Sequence, residues 1–217
     1  MSSPNPEKDK IKIAILGGCF DPVTKGHIAM AEAVLKETDI GQVWLQPCLK
    51  HPFASKSGAS GFSLRYWMCV MATQHMLGTQ RRPGIWVSKF EQRMVMKGPF
   101  KTYDVLQKML KNPYFKEQGF EFSYVIGMDN ANGFHKWANW EALTKLLPFI
   151  VVPRDGVKPD PKITWYQSAP HTCLKTSVGN ISSTMVREAV KAGDWDQVDK
   201  MVNPGVRNMI EEHKLYQ

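Results

Sequence analysis

The stretch Ile11 to Leu35, IKIAILGGCFDPVTKGHIAMAEAVL, constrains the fold more than any other part of the chain. An apolar run (Ile11, Ile13, Ala14, Ile15, Leu16) reads as a buried strand and Gly17 and Gly18 break it. After Thr24-Lys25-Gly26-His27, apolar residues recur at helical spacing at Ile28, Ala31, Val34 and Leu35. The expected order is strand, tight loop, helix. At such a junction glycines let backbone approach a ligand, and the first helical turn presents unpaired N–H groups at the positive end of the helix dipole. It is a place to hold phosphate.

The loop matches neither G-x-x-x-x-G-K-[ST] nor G-x-G-x-x-G. From Gly17 to His27 it reads G-G-x-F-D-P-x-T-x-G-H. This resembles the signature of the nucleotidylyltransferase superfamily, whose [HT]-x-G-H element sits at a strand-to-helix turn and grips the phosphates of ATP.

The rest of the chain supplies what such a loop needs around it. Gln42 to Pro47 reads as a second strand, giving a β-α-β unit and a parallel pair. Ser63 is expected to cap a helix with Leu64, Trp67, Met68 and Met71 on its core face and Arg65 off that face. Ile85 to Lys89, Phe120 to Gly127 and Phe149 to Val152 read as further strands, with a helix over Thr102 to Leu110 and another running through Leu147. His171 to Lys175 is a candidate sixth strand, and the C-terminal part, about 181–217, is read as helical, with Ser182 or Ser183 capping Thr184 to Lys191. Strands alternating with helices predict an α/β fold, a doubly wound parallel sheet of Rossmann-like type. Residues 1–10 are expected to be a disordered tail and 11–217 a single nucleotidylyltransferase domain.

With 217 residues and 43% hydrophobic content, the chain can bury a full core. The net charge of +8 fits a handler of anions, but apart from Gln80-Arg81-Arg82 and the loop lysines the positive residues are scattered. No basic stripe interleaved with aromatics tracks a nucleic-acid backbone, so nucleotide-sized anions are expected rather than nucleic acid. Cys19, Cys48, Cys69 and Cys173 are far apart with no C-x-x-C pair, which predicts reduced, mostly buried thiols and neither a zinc site nor a disulfide framework. The polar first ten residues and the absence of a long apolar run predict no secretory signal and no membrane span, hence a cytoplasmic or nuclear address. A homo-oligomer stays open, with Trp86 or Trp165 as exposed candidates for an interface.

Further segments resemble one branch of the superfamily, the nicotinate or nicotinamide mononucleotide adenylyltransferases of NAD synthesis. Lys101 to Leu106 (KTYDVL) is similar to that family's T-Y-D-T-L element, Ile126-Gly127-Met128-Asp129 with Trp137 to its G-x-D…W element, and Ile181-Ser182-Ser183-Thr184 with Arg187 to its I-S-S-T-x-x-R element. The resemblance implies an adenylyltransferase that joins ATP to a pyridine mononucleotide and releases pyrophosphate. Two anionic partners must meet in line, so positive charge is needed where negative charge builds, and no protein nucleophile is required.

The roles implied follow residue by residue. His27 meets the phosphates in transfer, with the backbone N–H groups of Gly18, Cys19 and Phe20 completing the cradle and Gly26 opening the helix. Thr24 stands where relatives often carry a second histidine, and its hydroxyl can donate to phosphate without adding charge. Arg187 reaches the β- and γ-phosphates from a helix begun by Ile181, Ser182 and Ser183. Asp129, following Gly127, accepts the ribose hydroxyls of ATP or caps a helix. Trp137 stacks on the pyridine, Trp140 is read as core on the same helical face, and Thr102 and Tyr103 present backbone groups to the pyridine substituent. Lys56, Lys50 and Arg65 are expected around the mononucleotide phosphate. No residue cluster has metal-ligand spacing, so Mg²⁺ is expected only through the triphosphate. Phosphopantetheine adenylyltransfer, or a non-catalytic nucleotide sensor or chaperone on the same scaffold, is the alternative.

Overall fold

The computed structural model describes residues 10–49, 60–73, 84–94 and 101–217. The tail up to residue 9, Lys50, Lys56 and the basic run at 80–82 lie outside the described residues. In chain order the elements are β1 (Ile11–Gly18), α1 (Lys25–Glu37), β2 (Gln42–Pro47), α2 (Phe62–Thr73), β3 (Ile85–Val87) and α3 (Phe90–Arg93). Then follow α4 (Thr102–Lys111), α5 (Pro113–Glu117), β4 (Phe120–Gly127), α6 (Met128–Asn132), α7 (Trp140–Leu146) and β5 (Phe149–Val152). The chain closes with β6 (Thr172–Cys173), α8 (Ser183–Lys191), α9 (Trp195–Met201) and α10 (Pro204–Glu212).

The six strands form one sheet in the order β3-β2-β1-β4-β5-β6, and every pairing is parallel. The chain runs outward from β1 to β3, then returns to the far side of β1 as β4. That reversal opens a crevice at the carboxyl ends of β1 and β4, where ligands of such sheets bind.

Alternation along the central strands feeds two cores. Ala14 and Leu16 of β1 and Ile150 and Val152 of β5 face helices α1, α2, α8, α9 and α10. Ile13, Ile15, Tyr124, Phe149 and Val151 face α4, α6, α7 and an aromatic group around Phe134. Each such aliphatic side chain withdrawn from water contributes about 1.5–3 kcal/mol. The C-terminal helices therefore share the core that holds α1 in place.

Several expectations need correction. Helix α2 begins at Phe62, ahead of Ser63, and buries Arg65 at 3% exposure while Trp67 stands out at 50%. The segment after β4 is not one helix: α6 ends at Asn132, a 3₁₀ turn spans Phe134–Lys136, and Asn139 in a left-handed conformation (φ 58°) precedes α7. Trp137 and Trp140 thus share no helical face. Trp165 is half-buried, stacked on Phe134 at 4.4 Å, whereas Trp86 is exposed. The four cysteines are reduced thiols, none in a disulfide, but only Cys69 is buried and Cys173 is exposed. Strand β3 stops at Val87, and periodicity does not announce the short helices α3 and α5.

Candidate active site

The loop between β1 and α1 is built around a reciprocal cap. Thr24 is the N-cap of α1, in extended backbone, and its hydroxyl accepts the His27 N–H at 3.4 Å. His27, at the third helical position, returns the bond: its Nδ1 accepts the Thr24 N–H at 3.0 Å. This is a capping box with histidine where glutamate or glutamine is usual. A neutral imidazole that accepts at Nδ1 carries its proton on Nε2, so the outer edge of the ring is a donor. Burial first, then the Arg154 charge, hold the His27 pKa down to about 4, against a smaller pull from Asp129. At neutral pH the ring is able to donate a hydrogen bond without carrying charge.

Thr24 is turned inward. It is 1% exposed, and its hydroxyl lies 2.9 Å from His27 Nδ1 and 3.5 Å from the Ile181 carbonyl. It orients the histidine. Phe20 adopts a left-handed backbone (φ 52°), a strain of about 1–3 kcal/mol for a bulky residue. Its buried ring stands edge-on to His27 at 5.0 Å, and a Cβ on Gly18 would come within 3.1 Å of that ring. Packing of Phe20 beneath the imidazole fixes the loop.

The I-S-S-T-x-x-R segment closes over this loop. The Ser183 hydroxyl donates to the Pro22 carbonyl at 2.8 Å, and Arg187 Nη1 donates to the Asp21 carbonyl at 2.7 Å. Gly26 admits no side chain, since its Cβ would lie 2.9 Å from the Ile181 oxygen. Ser182 is the cap of α8, accepting the Met185 N–H at 3.2 Å. The Asp21 carboxylate is itself held by the Tyr216 hydroxyl at 2.6 Å.

Across the crevice, Asp129 is the second residue of α6, and Gly127, not Asp129, is the cap. Its side chain stays 44% exposed, with Arg154 Nη1 3.4 Å away. Arg154 Nη2 donates to the Ile181 carbonyl at 3.1 Å, and its Nε is buried without a partner among the described residues. A Cβ on Gly127 would strike Asp129 Oδ1 at 2.5 Å and Arg154 Cδ at 2.9 Å. By sequence alone Pro153-Arg154-Asp155-Gly156 is only a turn. The signal it does carry is a cation directly beyond the carboxyl end of a parallel strand.

Beside β1 and β4, α4 opens with Thr102 and Tyr103, and its cap residue Lys101 gives the first turn no side-chain hydrogen bond. The Tyr103 hydroxyl accepts from Gln107 Nε2 at 2.7 Å, so its ring follows the helix. Trp137 is half-buried, against Phe134 at 5.1 Å and edge-on to Tyr124 at 6.4 Å.

Arg65 lies behind the strand ends rather than open to the crevice. Its guanidinium donates to the carbonyls of Ser60, Cys19 and Cys48 at 2.7–2.8 Å and of Leu49 at 3.4 Å. Glu91, which no motif singles out, is buried beside it and accepts the Leu49 N–H at 2.8 Å. Burial pushes its pKa up to about 7, with Leu49, Gln46 and Arg65 opposing. Among the described residues no group of three or more His, Cys, Asp or Glu is placed to hold a metal ion, and no helix is long and apolar enough to cross a membrane.

The chain is similar to known proteins over nearly its full length. It is 29% identical over 208 residues to the nicotinate-nucleotide adenylyltransferase of Bacillus subtilis, covering 95% of this chain and 98% of the relative. In fold it resembles the Plasmodium falciparum nicotinic acid mononucleotide adenylyltransferase complexed with NaAD, at a TM-score of 0.76 and 21% identity, with 95% and 97% of the two chains covered. The same Plasmodium protein complexed with APC matches at a TM-score of 0.73. The Cytidylyltransferase-like family model matches residues 15–189, a span that holds the β1 loop, Asp129, Arg154 and Arg187 together, and the chain belongs to that family.

Proposed function

We propose that this protein is a nicotinate- or nicotinamide-mononucleotide adenylyltransferase, joining ATP and the mononucleotide into the dinucleotide with release of pyrophosphate. The observation that carries the reading is the convergence of motifs 166 positions apart, Asp21 and Arg187, at one crevice with His27, Asp129 and Trp137 around it. The naming of relatives of full matching length as nicotinate-nucleotide adenylyltransferases supports it.

The mononucleotide phosphate attacks the α-phosphate of ATP, and a P–O bond forms as the bond to pyrophosphate breaks. His27 Nε2–H donates to oxygen on the phosphorus where charge builds, an interaction stronger in the transition state than in the ground state. Gly18, Cys19 and Phe20 present backbone N–H groups to the same phosphates. Arg187, two of whose five N–H donors are engaged by Asp21 and Thr184, turns the rest of its fork to the β- and γ-phosphates. Ribose hydroxyls bond to Asp129, which Arg154 holds in place.

The mononucleotide lies on the α4 side. Its pyridine stacks on Trp137, and the pyridine substituent meets the first turn of α4, where the helix dipole favours a carboxylate over an amide. Arg65 acts by holding the ends of β1 and β2, and Lys50 and Lys56 are candidates for the mononucleotide phosphate. Mg²⁺ held by the triphosphate oxygens would supply charge neutralisation. A phosphopantetheine acceptor leaves Trp137 and the α4 turn without a purpose.

Incubation with ATP, Mg²⁺ and nicotinate mononucleotide, read by mass spectrometry, tests the reading. Equal amounts of dinucleotide and pyrophosphate are expected. Hydrolysis of ATP alone would refute it.

A further inference from the structure

Tyr124 lies at the meeting point of three segments that the reaction uses, yet no motif contains it. It sits on β4, paired with Ile15 of β1, and its ring is buried on the α4 face of the sheet. Its phenol oxygen reaches under Gly17: a Cβ at that position would lie 2.1 Å from the oxygen and 3.0 Å from Cζ. The same hydroxyl faces the side chain of Thr102, the first residue of α4. Its ring edge meets the Trp137 ring at 6.4 Å and 83°.

These contacts have a common consequence. Gly17 precedes the phosphate loop, Thr102 opens the helix that faces the pyridine substituent, and Trp137 supplies the stacking plane. One rigid side chain with two rotatable bonds sets the spacing among the three, with little conformational entropy to lose. The absence of a side chain at Gly17 is what leaves room for the phenol oxygen.

We infer that Tyr124 is a positioning residue for the mononucleotide half of the site, tying the start of α4 and the Trp137 ring to the β1 glycine. The inference rests on the adenylyltransferase reading. Tyr124 touches no reacting atom; it acts through Thr102 and Trp137. Burial drives the phenol pKa up, so the hydroxyl is protonated at neutral pH.

The test is a cycle of Tyr124→Phe, Gly17→Ala and the double variant, with KM for each substrate, kcat and a thermal melt for all four proteins. Tyr124→Phe is expected to raise the mononucleotide KM about 5–10-fold, through loss of the hydroxyl between Gly17 and Thr102, and to leave the ATP KM within about twofold. Gly17→Ala is expected to lower kcat/KM about 100-fold in the native background and about 10-fold or less when combined with Tyr124→Phe, because the 2.1 Å clash with the phenol oxygen is gone. Equal rises in both KM values that track melting temperature, or a Gly17→Ala penalty undiminished in the double variant, would overturn the inference while the adenylyltransferase reading stands. A native enzyme inert toward both pyridine mononucleotides would remove the reading, and the inference with it.

Discussion

The Thr24 backbone N–H donates to His27 Nδ1 at 3.0 Å, so the T-x-G-H element is a helix cap and a tautomer lock at once. The bond leaves Nε2 as the protonated nitrogen, facing outward. Burial and the Arg154 charge keep the ring neutral, and the Thr24 bond orients it as a donor.

Replacing His27 by Ala is expected to lower kcat about 100–1000-fold with a much smaller change in mononucleotide KM, as for other donors that act on developing charge. Steady-state kinetics check this. Equal losses in kcat and binding of both substrates would point to a collapsed loop instead.

The pH behaviour of His27 follows from its environment. Its pKa falls from 6.5 to about 4 on folding, so the unfolded chain binds the extra proton between these values. Its contribution to stability is complete above 6.5 and fades as pH falls through about 4. Imidazole resonances followed by NMR should show a ring that titrates near 4, and activity should not fall between about pH 7 and 5.5 through this group. A ring titrating near 6.5 would contradict the packing described.

Thr24→Ala removes the cap and one hold on the ring. A loss of about 1 kcal/mol in stability is expected, with Thr24→Ser close to the native protein. Denaturant melts of the pair check this, and similar stability for all three proteins would place the cap elsewhere.

Arg154→Met leaves Asp129 without its cation and His27 without a repelling charge. The ATP KM is expected to rise roughly 10-fold, and the His27 pKa to move upward from about 4. Kinetics and NMR on the same variant check both halves. An unmoved His27 resonance would show that burial alone sets its protonation.

Glu91→Gln tests the buried carboxyl beneath the β2 end. Folding raises its pKa from 4.5 to about 7, so the folded state binds the extra proton in that window. Its stabilising contribution is present below 4.5 and is lost as pH rises through about 7. The melting temperature of the variant minus that of the native protein should therefore increase from about pH 5 to about pH 8. A constant difference would mean that Glu91 is ionised throughout.

Much of this fold is legible in the sequence because period and punctuation agree. Gln42–Pro47, Phe120–Gly127 and Phe149–Val152 have the bounds that apolar runs and their flanking breakers predict. Helices α3 and α5, of four and five residues, are too short to show a period. The face of α2 is hidden for a different reason. Hydrophobicity puts Trp67 inside, but carbonyls from distant segments bury Arg65, one of them 46 positions away, and that turns the helix. No local pattern carries this information. The site divides in the same way: the loop, Asp129 and Arg187 belong to contiguous motifs, whereas Arg154, Glu91 and Tyr124 matter only through neighbours supplied by other strands. Thr24 is legible as a motif position but not as a cap, because histidine is not the expected partner at the third helical residue.

The measurement that bears most directly on the account is pyrophosphate release with ATP and Mg²⁺, run in parallel with nicotinate mononucleotide, nicotinamide mononucleotide and phosphopantetheine. The account predicts release with the pyridine mononucleotides, a higher kcat/KM for nicotinate, and none with phosphopantetheine. Release with phosphopantetheine alone, or with none of the three, would contradict it.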